Sequence, residues 1–304
     1  MLEKQFDTPN IGVLHLVWAP LGINTFENFL QSYITNRPNI EHDLIIIFNG
    51  FSSVEQTKEY KSLLENLKYH SFFIRDKCFD IAAYLIAANH FNYEYLCFLN
   101  SYCVILDKDW LTKMYRIASQ DNVGLVGATG SYDSHYTSSK NAQRYDNTTI
   151  LERFLKFKGS FFRRTTRAFR LGNFKTLYYF PPFPNYHIRT NSFMVRRKIF
   201  KSIKFKKILS KFDTHLFESG RNSLTNQILK MKLSVFVVGK DGIAYDKEEW
   251  QRSNTFRQHD QSNLIISDNR TDEYLNSELE LRKRLSEDAW GYVVDIINPP
   301  DKHN

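Results

Sequence analysis

Four short apolar runs, separated by segments of helical spacing, limit this chain to a small set of folds. The runs are "GVLHLVW" (12–18), "DLIIIFNG" (43–50), "SFFIRD" and "YEYLCFLN". Between them lie "TFENFLQSYI", "SVEQTKEYKSLLENLK" and the Ala- and Leu-rich "DIAAYLIAANHF". A strand buried on both faces reads as a continuous apolar run, whereas a helix repeats its apolar residues at three- and four-residue spacing. Alternation of the two predicts an α/β protein with a mostly parallel sheet covered by helices on both faces. The chain up to about residue 105 is expected to form a doubly wound, Rossmann-like unit that binds ligands at the carboxyl ends of its strands.

The pattern continues with "DKDWLTKMYRIAS", a helix that Asp107 or Asp109 can cap, and "NVGLVGATGS", a strand and a small-residue turn. From about 132 to 179 it breaks. A polar stretch is followed by the basic, aromatic "ILERFLKFKGSFFRRTTRAFRLGNFK". In that segment Phe154, Phe161 and Phe162 lie beside Arg163, Arg164, Arg167 and Arg170, a mixture that suits an interfacial helix on anionic lipid. A core helix with a charged face and an RNA-binding patch are the other readings. After "FPPFPN" the alternation resumes. "HIRTNSFMVRRKIF" reads as a strand and helix start, "KFDTHLFESGRNSLTNQILKMKL" as a loop and a helix, and "SVFVVG" as a last strand. A polar tail and one helix, "DEYLNSELELRKRLSEDAW", complete the chain, and there are no repeats. The expected organisation is one domain over 1–304: a nucleotide-binding half (1–131), a basic aromatic insertion (132–180), an acceptor and catalytic half (181–265) and a helical tail (266–304).

At 304 residues the chain can bury a large core, and its 25 Phe and 17 Tyr argue against disorder. The net charge of +8 favours an anionic partner such as nucleotide phosphates, anionic lipid or nucleic acid, and charge alone does not choose among these. Three cysteines at no metal spacing (Cys78, Cys97, Cys103) suggest reduced thiols in the cytosol. "MLEKQFDTPN" has no apolar signal core, and no run reaches the roughly 18 apolar residues of a spanning helix. A cytoplasmic protein, peripheral at the inner face of a membrane, is the expectation.

The order of elements over about 11–269, together with "YLCFLNSYCVILDKDWL", resembles the GT-A glycosyltransferases, particularly the bacterial family-2-like enzymes of surface polysaccharide synthesis. The resemblance implies a nucleotide-sugar donor, a glycan or lipid-linked acceptor, and no nucleic-acid partner. In that family an acidic metal motif ends the fourth strand, and a Trp-Leu helix start follows. "DWL" matches that helix start, so Asp107 and Asp109 fall on capping positions and the metal motif falls on Asn100, Ser101 and Tyr102. An amide and a phenol there replace two carboxylates. Magnesium and manganese prefer anionic oxygen ligands, so no cofactor is expected to be required and any divalent site would be weak. Arg, Lys, His or backbone amides would then meet the diphosphate charge.

The resemblance also implies site residues. Trp18, Ala19 and Pro20 fall on the base-binding loop, and Asn49 ends the second strand. Asp80 falls on a nucleoside contact, where a carboxylate suits a uracil imide or ribose hydroxyls, although an N-cap would use it equally. Glu218 in "FESG" matches the catalytic base of inverting enzymes, with Asp213 in reserve. A Glu favoured by a helix dipole is the plainer alternative. His187, Arg189 and Asn191 alternate, so on one strand they share a face that would line the acceptor or diphosphate site. Arg257 and His259 fall in a C-terminal loop that could offset leaving-group charge. Two other functions stand beside this one. A nucleotidyltransferase is disfavoured because "VWAPLGINTF" is Gly-poor. A non-catalytic module binding glycan, lipid or RNA is favoured by the missing acidic motif and opposed by "FESG".

Overall fold

The computed structural model describes residues 10–138 and 175–294. The basic aromatic segment, with Arg163, Arg164, Arg167 and Arg170, lies outside the described residues.

The first part of the chain runs β1 (Ile11–Trp18), α1 (Ile23–Thr35), β2 (Asp43–Asn49), α2 (Lys58–Ser62), β3 (Tyr69–Phe73), α3 (Asp80–His90) and β4 (Tyr95–Leu99). It continues with β5 (Val104–Ile105), α4 (Trp110–Ala118), β6 (Val123–Gly127) and β7 (Gly130–Ser131). The second part comprises β8 (His187–Ile188), β9 (Ser192–Arg196), α5 (Arg197–Ser202), α6 (Lys211–Ser219), α7 (Leu224–Lys230), β10 (Ser234–Val238) and β11 (Ala244–Asp246). It ends in β12 (Ile266–Ser267), α8 (Asn269–Asn276) and α9 (Leu279–Trp290).

Eight strands form one sheet in the order β11-β10-β6-β9-β4-β1-β2-β3. The pairs β1–β2, β2–β3, β1–β4 and β6–β10 are parallel, while β9 runs antiparallel to both β4 and β6. The expected α/β class, with its mostly parallel central sheet, is what the structure has. Alternation along each strand feeds two cores. Val13, Val17, Ile46, Phe48 and Cys97 face one side with Phe29 of α1 and Trp110 of α4. Leu14, Leu16, Ile45, Ile47 and Phe98 face the other with Tyr84 of α3, Phe217 of α6 and Trp290 of α9. Because β9 sits between β4 and β6, strands from before and after residues 139–174 share this sheet. The chain before and after that stretch meets in a small antiparallel pair, Gly130 opposite Ile188 and Ser131 opposite His187. Asn185 reinforces the meeting by donating from its side chain to the Asp133 and Ser219 carbonyls and from its backbone to Tyr132.

Four local expectations are corrected. The helix expected over 53–68 is a 3-10 turn (Val54–Thr57) and the five-residue α2. The strand expected through "HIRTNSF" breaks after Ile188 and resumes at Ser192. The polar stretch after residue 246 is a packed loop that buries Trp250, Phe256 and Gln258, and the last helix is two helices interrupted at Ser277 and Glu278. Among the described residues no helix is long and apolar enough to cross a membrane.

Candidate active site

In the order β3-β2-β1-β4 the winding reverses between β1 and β4, and the carboxyl ends of such a pair leave a crevice where ligands bind in open α/β sheets. A cavity of about 650 Å³ opens there. Leu16 and Trp18 of β1, Asp80 of α3, and Asn100, Ser101 and Tyr102 after β4 line it. Its remaining wall includes Lys77, Lys211 and Thr214. The Trp18 ring lies over Gly50, which adopts a left-handed φ of +81°, and a Cβ on that glycine would stand 2.9 Å from the indole. The Lys77 ammonium sits 4.9 Å from the same ring's centroid.

Of the residues expected to hold a donor, Trp18, Asp80, Asn100, Ser101 and Tyr102 thus converge. Ala19 and Pro20 do not line the cavity; they form a 3-10 turn whose third residue, Leu21, does. Asn49 is fully buried and also absent from the wall. Its side-chain amide donates to the Cys78 carbonyl at 2.7 Å and its oxygen accepts from the Cys78 amide at 3.2 Å. It therefore fixes the loop that carries Lys77 and leads to Asp80.

Glu218 is the penultimate residue of α6, and not part of a loop before a helix as expected. A carboxylate there opposes the helix dipole, so the plainer alternative of dipole stabilisation at a helix start does not hold. Other groups hold the charge. Thr190 donates both its backbone N–H, at 2.7 Å, and its hydroxyl to Glu218 Oε2. Burial pushes the Glu218 carboxyl up, but the neighbouring His187 and Arg189 side chains and the Thr190 donors pull it below its ordinary value. Lys211, Thr214 and Glu218 fall at i, i+3 and i+7 on α6, one face of the helix, and the first two line the cavity. Asp80 feels that face: burial raises its pKa and the Glu218 charge adds to the rise, against the Ile81 N–H. Two neighbouring carboxylates are thus pushed apart in acidity, with Glu218 the more firmly ionised.

Asp213 serves locally. It and Ser210 form a reciprocal capping box, in which Asp213 Oδ2 accepts from the Ser210 N–H at 2.8 Å and from the Leu209 N–H at 3.0 Å.

The break in the expected strand redistributes the other three residues. His187 Nδ1 lies 2.8 Å from the Asn185 carbonyl and must donate to it, which leaves Nε2 as the acceptor nitrogen of the neutral ring. Burial holds this imidazole below its ordinary pKa despite the pull of Glu218. Arg189 forms a buried ion pair with Asp268, 2.7 Å at its closest, and stacks 4.2 Å from the Phe256 ring. Asn191 accepts from Thr129 through Oδ1, while its buried Nδ2 has no partner among the described residues. Arg257 stacks 5.0 Å from Phe256, and burial lowers its pKa to about 10, which leaves it protonated at neutral pH. Neither Arg257 nor His259 lines the cavity. His259 uses its backbone carbonyl to receive Arg282 at 2.6 Å.

No family model and no curated protein matches the chain. Solved structures do. One is a mannosyltransferase from Pyrobaculum calidifontis in complex with GDP-Man and Mn2+, at 11% identity and a TM-score of 0.44, covering 76% of this chain and 55% of that one. A second is glucosyl-3-phosphoglycerate synthase from Mycobacterium tuberculosis with Mn2+, UDP and glucosyl-3-phosphoglycerate, at 10% identity and a TM-score of 0.37, covering 65% and 60%. A third is core-mannan synthase A from Aspergillus fumigatus in its Mn/GDP form, at 9% identity and a TM-score of 0.36, covering 71% and 65%. The chain thus spans between about half and two thirds of the length of these proteins. These are partial likenesses at low identity, and the chemistry of the cleft has to come from its own residues.

A divalent metal, which the family resemblance implies, does not fit the residues at the motif position. Asn100 Oδ1 already accepts the Tyr102 N–H at 3.0 Å, and no carboxylate replaces it. Asp107 Oδ2 pairs with Lys113 at 2.7 Å and accepts the Asp109 N–H, while Asp109 is the N-cap residue of α4 without a side-chain cap bond. Donor binding is accordingly expected to be unchanged by excess EDTA. A thermal-shift response to nucleotide sugar that EDTA abolishes and manganese restores would overturn this.

Lys77, Lys211 and Thr190 escaped the sequence reading. The two lysines look like ordinary surface residues in one dimension. Thr190 lay hidden inside a segment that reads as continuous strand.

Proposed function

We propose that this chain is an inverting glycosyltransferase, moving a sugar from a nucleotide-sugar donor to a glycan or lipid-linked acceptor in surface polysaccharide synthesis. The observation that carries the reading is the cavity between β1 and β4, where an indole, a carboxylate and two ammonium groups meet next to the helix face bearing Glu218. Trp18 offers a ring to the base, and Asp80 accepts from ribose or base donors. Lys77 and Lys211 neutralise the diphosphate, the work a metal would otherwise do. Glu218 takes the acceptor hydroxyl proton as that oxygen bonds to the anomeric carbon, and the bond to the diphosphate breaks on the opposite face. His187 and Arg189 act on Glu218 from close by. Residues 1–131 then bind donor, 181–265 supply acceptor and base, and the protein works at the inner face of a membrane.

A panel of nucleotide sugars in a thermal-shift assay tests this. At least one should stabilise the protein, and Asp80→Ala should weaken that donor about ten- to a hundredfold, the worth of a hydrogen bond to a charged group. If no nucleotide or nucleotide sugar stabilises the chain, the donor site is wrong. The second reading, a non-catalytic module, is favoured by the Asn100 turn in place of an acidic motif. Donor binding without any transfer or hydrolysis would select it.

A further inference from the structure

A second depression, of about 810 Å³, lies along the edge of the sheet beside β3. One wall is the face of α3 that carries Ala82, Leu85, Ile86 and Asn89, at i, i+3, i+4 and i+7. The other is the extended segment 203–209, which brings Phe205, Ile208 and Leu209. Ile86 and Phe79 are exposed, and Leu209 is 68% exposed, an apolar surface that a folded chain gains nothing by leaving open to water. Among the described residues lining it, Arg75, Lys77, Lys201, Lys206 and Lys207 stand against a single carboxylate, Asp76. All five cations are exposed, and none has an ion-pair partner among the described residues.

An apolar trough with an unbalanced cationic rim fits a molecule with an apolar chain and a phosphate. Its volume is in the range of small-molecule sites. It also adjoins the donor cavity, since Lys77, Cys78 and Phe79 line both. We infer that this groove holds the lipid-phosphate carrier of the acceptor, its chain between α3 and 203–209 and its phosphate on the lysines, so that the attached hydroxyl reaches the neighbouring cavity. The inference rests on the reading of that cavity as the donor site. It narrows the acceptor to a lipid phosphate and assigns its carrier to residues that the sequence reading did not single out.

Farnesyl phosphate, below its micelle concentration, is a direct probe by calorimetric titration of the full chain. It should bind, with farnesol and inorganic phosphate each at least tenfold weaker. The surface variant Lys201→Gln/Lys206→Gln/Lys207→Gln should lose at least tenfold in affinity for farnesyl phosphate. So should Ile86→Asp, which sets a carboxylate in the trough. Both variants should keep the native thermal shift with nucleotide sugar. Unchanged affinity in both variants overturns the inference. So does binding only to phosphatidylglycerol vesicles with none to farnesyl phosphate, which would make the groove a membrane-facing surface. The donor arm is read independently. Loss of the nucleotide-sugar response with farnesyl phosphate binding intact defeats the glycosyltransferase reading and with it the carrier role, while loss of farnesyl phosphate binding alone defeats only the carrier.

Discussion

Glu218→Gln should leave folding and donor affinity near native and lower turnover by about 10²–10⁴-fold, the usual contribution of a positioned base. The isosteric amide can still accept from the Thr190 backbone and hydroxyl, so the local geometry survives. What is lost is proton-accepting power. The depressed pKa of Glu218 sets the pH signature: the carboxylate stays ionised through neutral pH, and the acid limb of turnover should fall below the ordinary Glu value. Asp213→Asn, by contrast, should cost only about 1 kcal/mol of capping stability, because Asp213 is spent on the Ser210 capping box. Full transfer by the Gln variant combined with abolished transfer by the Asn variant would move the base to Asp213. Full transfer by both would remove the base from α6 altogether.

His15→Leu should stabilise the protein, increasingly so as the solution is acidified. His15 lies in the middle of β1, wholly buried, its ring 3.4 Å from that of Phe29 and nearly parallel to it. Neither ring nitrogen has a partner among the described residues. Burial alone pushes its pKa from 6.5 to about 3. The imidazole is therefore neutral in the folded chain but takes a proton in the unfolded chain below its ordinary value. The unfolded state binds more protons between those two values, and stability falls as pH drops from 6.5 toward 3. At about 1.4 kcal/mol per unit the loss approaches about 5 kcal/mol at the bottom of the window. Leucine has no proton to take and leaves no nitrogen unsatisfied, which is worth about 1–3 kcal/mol already at neutral pH. Urea midpoints of both proteins across pH 4 to 7 isolate the effect, because contributions from Glu218 and Asp268 are common to both chains. Curves that stay parallel would show that the ring is hydrated or paired in solution.

Legibility from sequence followed how far each residue's fate depends on its neighbours in the chain. β1, β2 and β4 could be read because a strand buried on both faces is apolar at every position, and the chain after β1 and β4 lines the cavity. Trp18, Asp80 and Asn100 to Tyr102, which line the cavity, could be placed by the resemblance because strand ends and helix starts are local features. The break at Arg189–Asn191 was not legible, since its cause is remote: Thr190 turns to Glu218, 28 residues on, and Arg189 to Asp268. The loop at 254–261 is polar in sequence, which carries no signal of burial. In the fold, Asn254, Arg257, His259 and Gln261 hold left-handed backbone angles, and Gln258 and Gln261 are buried as internal braces for Trp250 and Thr271 carbonyls. A glutamine used in this way has no one-dimensional signature. Lys77 and Lys211 became site residues only through tertiary placement.

The β7–β8 clasp has a consequence for how such a protein can change. The chain on either side of residues 139–174 is joined by two strands whose side-by-side register is set, with Asn185 tying the second side to the end of α6. Doubling the length of the chain between the two strands adds only about 0.6 kcal/mol of closure entropy. His187 sits on that clasp, opposite Ser131 and beside Glu218. The clasp thus stands beside the carboxylate proposed as the base. The chain between the two strands can therefore change in length without altering the pairing on which the sheet and the position of Glu218 depend.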